Sequence, residues 1–266
     1  TNKHIKLVVV APELRSDAAV MRELYELLFW PVHIIDLYSF YETITGRIHP
    51  STFSEGWFLE HLKNDKHLIY ERLRLALDYF FTLIIGAIFL VIFPLIAILI
   101  KINSRGPILL KQERVGQYGK KFWLYKFRSM HALSPDGSAE TKGYEFAQKN
   151  DKRITLVGKI LRKTRLDELP QAWNLIKGDL VIIGPRPERP EIVADLTTRM
   201  SYYPLRHVVK PGLTGWAVIH QNYTDTIEKS LQKLQYDLYY IKNRSLLLDI
   251  SILLRTVNTL LRFMGQ

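Results

Sequence analysis

The sequence predicts an α+β chain, mainly helical, seated in a membrane through one apolar helix. Three observations carry this. Residues 79–100 form a run of 22 without a charge. Short apolar runs punctuated by Gly106-Pro107, Gly116 and Gly119 follow it, the pattern of a β-hairpin. Residues 154–176 and 246–264 then repeat their apolar positions at helical spacing.

In chain order, residues 6–11 (Lys-Leu-Val-Val-Val-Ala) read as a buried strand. Ser16 is the expected N-cap of a helix over 17–29, ended by Pro31, and residues 32–37 read as a second strand. Strand–helix–strand is the tail of a parallel α/β domain. It has no Gly-rich phosphate loop, so a scaffold or regulatory remnant is expected there. Residues 38–70 read as a polar and aromatic connector. Because it begins at Thr1 rather than Met, the sequence is read as a piece of a longer protein.

A straight helix over 79–100 would reach roughly 33 Å, about one hydrocarbon core. It lies too far from the N-terminus for a secretory signal. Arg72 and Arg74 precede it and Lys101, Arg105 and Lys111 follow, so the flanks give no orientation. Pro94 removes a backbone hydrogen bond and should kink the helix. A re-entrant helix that bends at Pro94 and returns to the same face satisfies both facts; a tilted, kinked spanning helix is the alternative. Beyond it, residues 121–127 supply one hairpin strand and 131–150 a polar loop. The helical pattern of 154–176 breaks at Pro170, and Gly184-Pro185-Arg186-Pro187 makes a rigid turn. Residues 246–264, with Arg255 and Arg262 among leucines and isoleucines, form an amphipathic helix that either packs or lies in the membrane interface.

Composition narrows the function. With 266 residues, 47% apolar and 24% charged, the chain can build a core and is not disordered. The absence of cysteine excludes disulfides, Cys-based zinc sites and thiol catalysis. The net charge of +11 is uneven: −2 over residues 1–78 and +13 over the rest. Such an excess implies an anionic partner: nucleic acid, anionic membrane lipids or a phosphorylated substrate. The eight histidines lack metal-ligand spacing, and no Gly-x-Ser-x-Gly, P-loop or nucleic-acid motif is present.

The chemistry-bearing constellation is Asp167-Glu168, in Arg162-Lys163-Thr164-Arg165-Leu166-Asp167-Glu168-Leu169-Pro170-Gln171. Adjacent helical carboxylates point about 100° apart, so one can attack an electrophile while the other holds a hard cation. A carboxylate beside Arg162 or Arg165 is expected to keep a low pKa. Arg186, fixed among Gly184, Pro185 and Pro187, suits bidentate phosphate binding. Lys126 and Arg128 add phosphate-type donors. Lys210-Pro211-Gly212-Leu213-Thr214-Gly215-Trp216 is a second stiff turn, either plain loop or a lip over a nucleotide or sugar.

From about Tyr70 to the C-terminus the chain resembles the bacterial sugar transferases, the monotopic phosphoglycosyl transferases. The resemblance is carried by Gln112-Glu113-Arg114-Val115-Gly116, Tyr125-Lys126-Phe127-Arg128-Ser129-Met130, Leu166-Asp167-Glu168-Leu169-Pro170-Gln171, Lys177-Gly178-Asp179, Gly184-Pro185-Arg186-Pro187, the Lys210-to-Trp216 block and Tyr236-Asp237-Leu238-Tyr239-Tyr240. It implies three regions: 1–60, the tail of a Rossmann-like region and connector; 61–110, a re-entrant membrane helix; and 111–266, a catalytic domain with a short hairpin and interfacial helices. It implies transfer of a sugar-1-phosphate from a UDP-sugar to polyprenyl (undecaprenyl) phosphate, with UMP released, as a first membrane step of exopolysaccharide, capsule or O-antigen synthesis. Asp167 would attack the β-phosphate and carry the phosphosugar. Glu168 would bind Mg2+, and Arg186, Arg162, Lys126 and Arg128 would hold phosphate. Trp216, Asp237 and Tyr240 are candidates on the nucleotide and sugar side. The resemblance places the chain at the cytoplasmic face of a bacterial inner membrane, with a homodimer as a further expectation.

Two positions depart from the family pattern. Phe93 stands where members carry Ser before the helix-breaking Pro94, and Leu75 replaces one of two basic residues before Asp78. A non-catalytic membrane scaffold that binds sugar nucleotides is the rival reading, and a nucleic-acid binder the remote one. Asp167-Glu168 together with Arg186 favours the enzyme.

Overall fold

A computed structural model describes residues 5–62, 68–139, 151–221 and 226–261. The chain divides into two compact units, Thr1–Lys63 and Asn64–Gln266.

In the first unit, β1 (Leu7–Val10), α1 (Ala18–Glu26) and β2 (His33–Asp36) form the expected strand–helix–strand, with Leu7 paired to His33 and Val10 to Asp36 in parallel. The cap differs from expectation. Asp17, not Ser16, accepts from the Ala19 and Val20 amides, while Ser16 Oγ donates to the Glu13 carbonyl. A carboxylate one residue closer to the helix reaches those amides directly. Residues 38–62 are not a plain connector. They hold α2 (Leu37–Thr45), capped by Asp36 and ended by Gly46 at φ 62°, and α3 (Glu55–Leu62).

The second unit opens on α4 (Leu68–Asn103), 36 residues with Pro94 inside and a mean hydropathy of 3.2 over its most apolar window. Leu83, Leu90 and Val91 are more than 70% exposed, as lipid-facing residues are. At its C-terminal third, Ile96 and Ile100 are buried against Phe127 and Leu161. Phe93 joins this cluster, its ring 5.8 Å from that of Phe127. The hairpin is β3 (Leu109–Val115) against β4 (Lys121–Phe127), antiparallel, with Leu109 opposite Phe127.

Next come α5 (Leu156–Thr164), a 3-10 turn over Leu166–Gln171, and α6 (Ala172–Lys177). The helical pattern breaks at Arg165, not at Pro170: Arg165 adopts φ 59°, while Pro170 lies inside the 3-10 turn. β5 (Val181–Ile183) follows, then α7 (Pro190–Arg199). β6 (Gly212–Thr214), within the block expected to be a turn, pairs in parallel with β5. Gly212 is required there, since a Cβ would lie 2.1 Å from the Gly184 nitrogen. The unit closes with α8 (Trp216–His220), α9 (Ile227–Asn243) and α10 (Leu246–Leu261), whose Leu247, Ile250, Leu254 and Val257 form an exposed stripe. Most of the loop expected over 131–150, and Arg262, lie outside the described residues.

Candidate active site

Asp167 and Glu168 occupy the first turn of the 3-10 segment that starts when Arg165 turns left-handed and ends α5. Leu166 and Leu169, flanking the pair, pack onto the Ile96, Ile100 and Phe127 cluster, so the carboxylates rest on the membrane helix. Strand alternation on β4 sends Phe127 into that cluster and its neighbour Lys126 to the pair. Asn174 of α6 fixes this part of β4, donating to the Trp123 carbonyl at 2.6 Å and accepting from the Tyr125 amide at 3.2 Å.

The cations gather on Glu168. Arg186 donates Nη2 to Oε1 at 2.5 Å and Nη1 to Oε2 at 3.4 Å, Lys126 Nζ lies 3.2 Å from Oε1, and Arg165 Nη1 lies 3.7 Å from it. Burial pushes the Glu168 carboxyl up, but Arg186 and Lys126 outweigh it and hold it well below the ordinary carboxylate range. Asp167 behaves oppositely. It is 8% exposed, and its Oδ1 is buried without a hydrogen-bond partner among the described residues. Burial, then repulsion from Glu168, raises it to about 6 against the attraction of Lys126, Arg162 and Arg165. The expected low pKa therefore holds for Glu168 and fails for Asp167. The cations make their contacts with Glu168, leaving Asp167 desolvated beside a negative neighbour.

Of the residues singled out from sequence, Asp167, Glu168, Lys126 and Arg186 come together. Arg162 faces Asp167 electrostatically, its Nε held by Ser129 Oγ at 3.0 Å. Arg128 is directed elsewhere: it donates to the Ser104 and Arg105 carbonyls at 2.7 and 2.6 Å and caps the end of α4. Asp237 is 2% exposed and paired to Arg206 at 2.7 Å, an ion pair in the core. Tyr240 is likewise buried, its hydroxyl donating to Asp249 Oδ1 at 2.9 Å. Trp216 stacks on Tyr239 at 5.4 Å and packs on His220. Arg165, expected beside the carboxylates but not among the phosphate-binding cations, meets Glu168. The signal is a cation three residues before an acid at the start of a turn.

Among the described residues no group of three or more acidic or histidine side chains could hold a metal. The pair fits Mg2+ only in the mode where one or two carboxylates share the ion with substrate phosphates. Among the described residues Glu168 Oε2 meets Arg186 at a long 3.4 Å and Asp167 Oδ1 has no partner, so both keep lone pairs for that.

A desolvated carboxylate beside a cation-clamped one, packed on a long apolar helix, is an arrangement suited in its chemistry to anionic, phosphate-bearing ligands at a membrane. The family model for bacterial sugar transferases matches residues 69–263, and the chain belongs to that family. It is 39% identical over 224 residues to a UDP-N-acetylgalactosamine-undecaprenyl-phosphate N-acetylgalactosaminephosphotransferase of Aeromonas hydrophila, covering 84% of this chain and 51% of the relative. A UDP-glucose:undecaprenyl-phosphate glucose-1-phosphate transferase of Klebsiella pneumoniae is 39% identical over 73% of this chain and 40% of its own length. One of the same description from Caulobacter vibrioides is 38% identical over 70% of this chain and 68% of its own length. The chain thus spans about half or less of the first two relatives.

Proposed function

We propose that this protein transfers a sugar-1-phosphate from a UDP-sugar to polyprenyl phosphate through an aspartyl-phosphosugar intermediate. An Asp167 carboxylate oxygen attacks the β-phosphorus, forming one P–O bond as the bond to the bridging oxygen breaks and UMP leaves. A phosphate oxygen of the lipid acceptor then attacks the same phosphorus. Asp167 departs as a free carboxylate and the product is a polyprenyl-diphospho-sugar. The observation that carries this reading is the split within the pair. Asp167, raised to about 6, is ionised at neutral pH yet basic enough to be a good nucleophile, while Glu168 keeps Arg186 and Lys126 in place for the phosphates. Glu168 would hold Mg2+ together with the diphosphate, where the ion supplies charge neutralisation.

We read α4 as re-entrant. Near its start Arg74 and Asp78 bond the backbone of β5, and near its end Ile100 packs on Phe127 and Asn103 accepts from the Val157 amide. One domain thus grips both ends of a helix about 50 Å long if straight, which a simple crossing would place on opposite faces. The exposed stripe of α10 then lies in the interface on the cytoplasmic side, near anionic lipids. The β1–α1–β2 unit is read as the tail of a Rossmann-like region.

The test is UMP release from a panel of UDP-sugars with undecaprenyl phosphate present, which also names the sugar. Wild type should release UMP and Asp167→Asn should not. Equal release by both removes Asp167 as nucleophile.

A further inference from the structure

The backbone that carries Arg186 is held from both sides by two buried arginines, Arg74 and Arg206, and by the part-buried Arg114. Arg74 donates Nη2 to the Ile183 carbonyl at 2.7 Å, Arg206 donates Nη2 to the Arg186 carbonyl at 2.9 Å, and Arg114 donates Nη1 to the Pro187 carbonyl at 3.2 Å. Asp78, one helical turn after Arg74, accepts from the Ile182 amide at 3.0 Å. Gly184 N donates to Thr214, and Gly212 N donates to Pro185. From Ile182 to Pro187 every residue therefore has at least one backbone group fixed.

Arg206 and Arg114 come from the domain interior, but Arg74 comes from α4, five residues before the apolar run begins. A cation there is ordinarily read as a headgroup contact. Arg72, exposed, suits that task, whereas Arg74 is 8% exposed and turned inward. Asp249 and Asp78 offset its charge, and the Tyr70 and Tyr240 hydroxyls, kept protonated by burial, donate to Asp249 beside it. A buried guanidinium aimed at one carbonyl orders that peptide far more firmly than a solvated one does.

We propose that Arg74 is a positioning residue for phosphoryl transfer. It ties the Ile183 peptide to the membrane helix and so sets the place of the Gly184-Pro185-Arg186 turn relative to the bilayer. The inference rests on the transferase reading above. A water-borne diphosphate and a lipid-borne phosphate must both reach Asp167, so the height of Arg186 above the lipid decides whether one site serves both.

The test is a double-mutant cycle on the full chain in nanodiscs, scored by initial UMP release. Arg74→Gln should lower kcat about tenfold or more with a smaller change in KM, and Arg74→Lys should recover part of it. In an Arg186→Gln background, Arg74→Gln should cost less than about threefold more, because its effect runs through Arg186. Melting curves run in parallel separate this from unfolding. If Arg74→Gln does not fold, Arg74→Lys enters the same cycle under the same criterion. Wild-type rates for Arg74→Gln, or losses that multiply fully in the double variant, overturn the inference and leave the transferase reading standing. A wild-type chain that releases no UMP overturns both.

Discussion

Neighbouring carboxylates should have opposite effects on stability. Burial and the Glu168 charge lift the Asp167 carboxyl in the folded chain from an ordinary 3.8 to about 6. At about 1.4 kcal/mol per unit, keeping it charged in the fold costs about 3 kcal/mol at neutral pH. Because the folded value is the higher one, the cost is absent below pH ~4, grows as pH rises through the window from 3.8 to about 6, and is complete above it. Asp167→Asn, neutral and of the same shape, should therefore raise the melting temperature in detergent at pH 7.5 by roughly 6–12 °C. At pH 4.5 the gain should shrink to about 1 kcal/mol. Glu168→Gln should do the reverse, stranding Arg186 and Lys126 and losing roughly 3–5 kcal/mol. Thermal melts of the three chains across pH 4.5–8 measure this. An Asp167→Asn gain that is absent, or the same at both pH values, would refute the account of a desolvated nucleophile.

The same titration predicts an acid limb in the first half-reaction. UMP release should fall about tenfold per unit below pH ~6 as Asp167 takes up its proton; a flat profile down to pH 5 would argue against Asp167. Gly158→Ala should unfold or severely destabilise the catalytic unit, because its Cβ would lie 1.9 Å from the Ser129 carbonyl oxygen where α5 meets the end of β4. Melting curves should show a loss above about 2 kcal/mol, and a wild-type melt would mean that α5 can shift freely.

Local signals carried much of this fold. The uncharged run marks α4, the glycines around residues 116–119 mark the hairpin, and the cations written near Asp167-Glu168 in the sequence mark the candidate site, where Arg186, Lys126 and Arg165 meet Glu168. The misses share a cause in tertiary context. Asp237 and Tyr240 look like ligand residues as a sequence block, but only the fold shows that Arg206 and Asp249 already hold them. Arg128 looks like Lys126, two residues away, yet it serves the end of α4. The break in 154–176 reads as Pro170's because nothing in the sequence marks an arginine that will turn left-handed. α2 is hard to read because Leu-Tyr-Ser-Phe-Tyr-Glu-Thr-Ile-Thr is rich in aromatic and β-branched residues, although Asp36 and Gly46 bracket it with ordinary caps.

The left-handed Arg165 has a consequence for evolution in the laboratory. At φ 59° a side chain costs about 1–2 kcal/mol that glycine would not. Selection for thermal tolerance alone should therefore favour glycine at this position. The fitter scaffold would then lack one of the positive charges on Glu168 and meet the diphosphate less firmly. A stabilised variant of this chain should accordingly be screened for turnover at residue 165 before its improved melting is accepted as harmless.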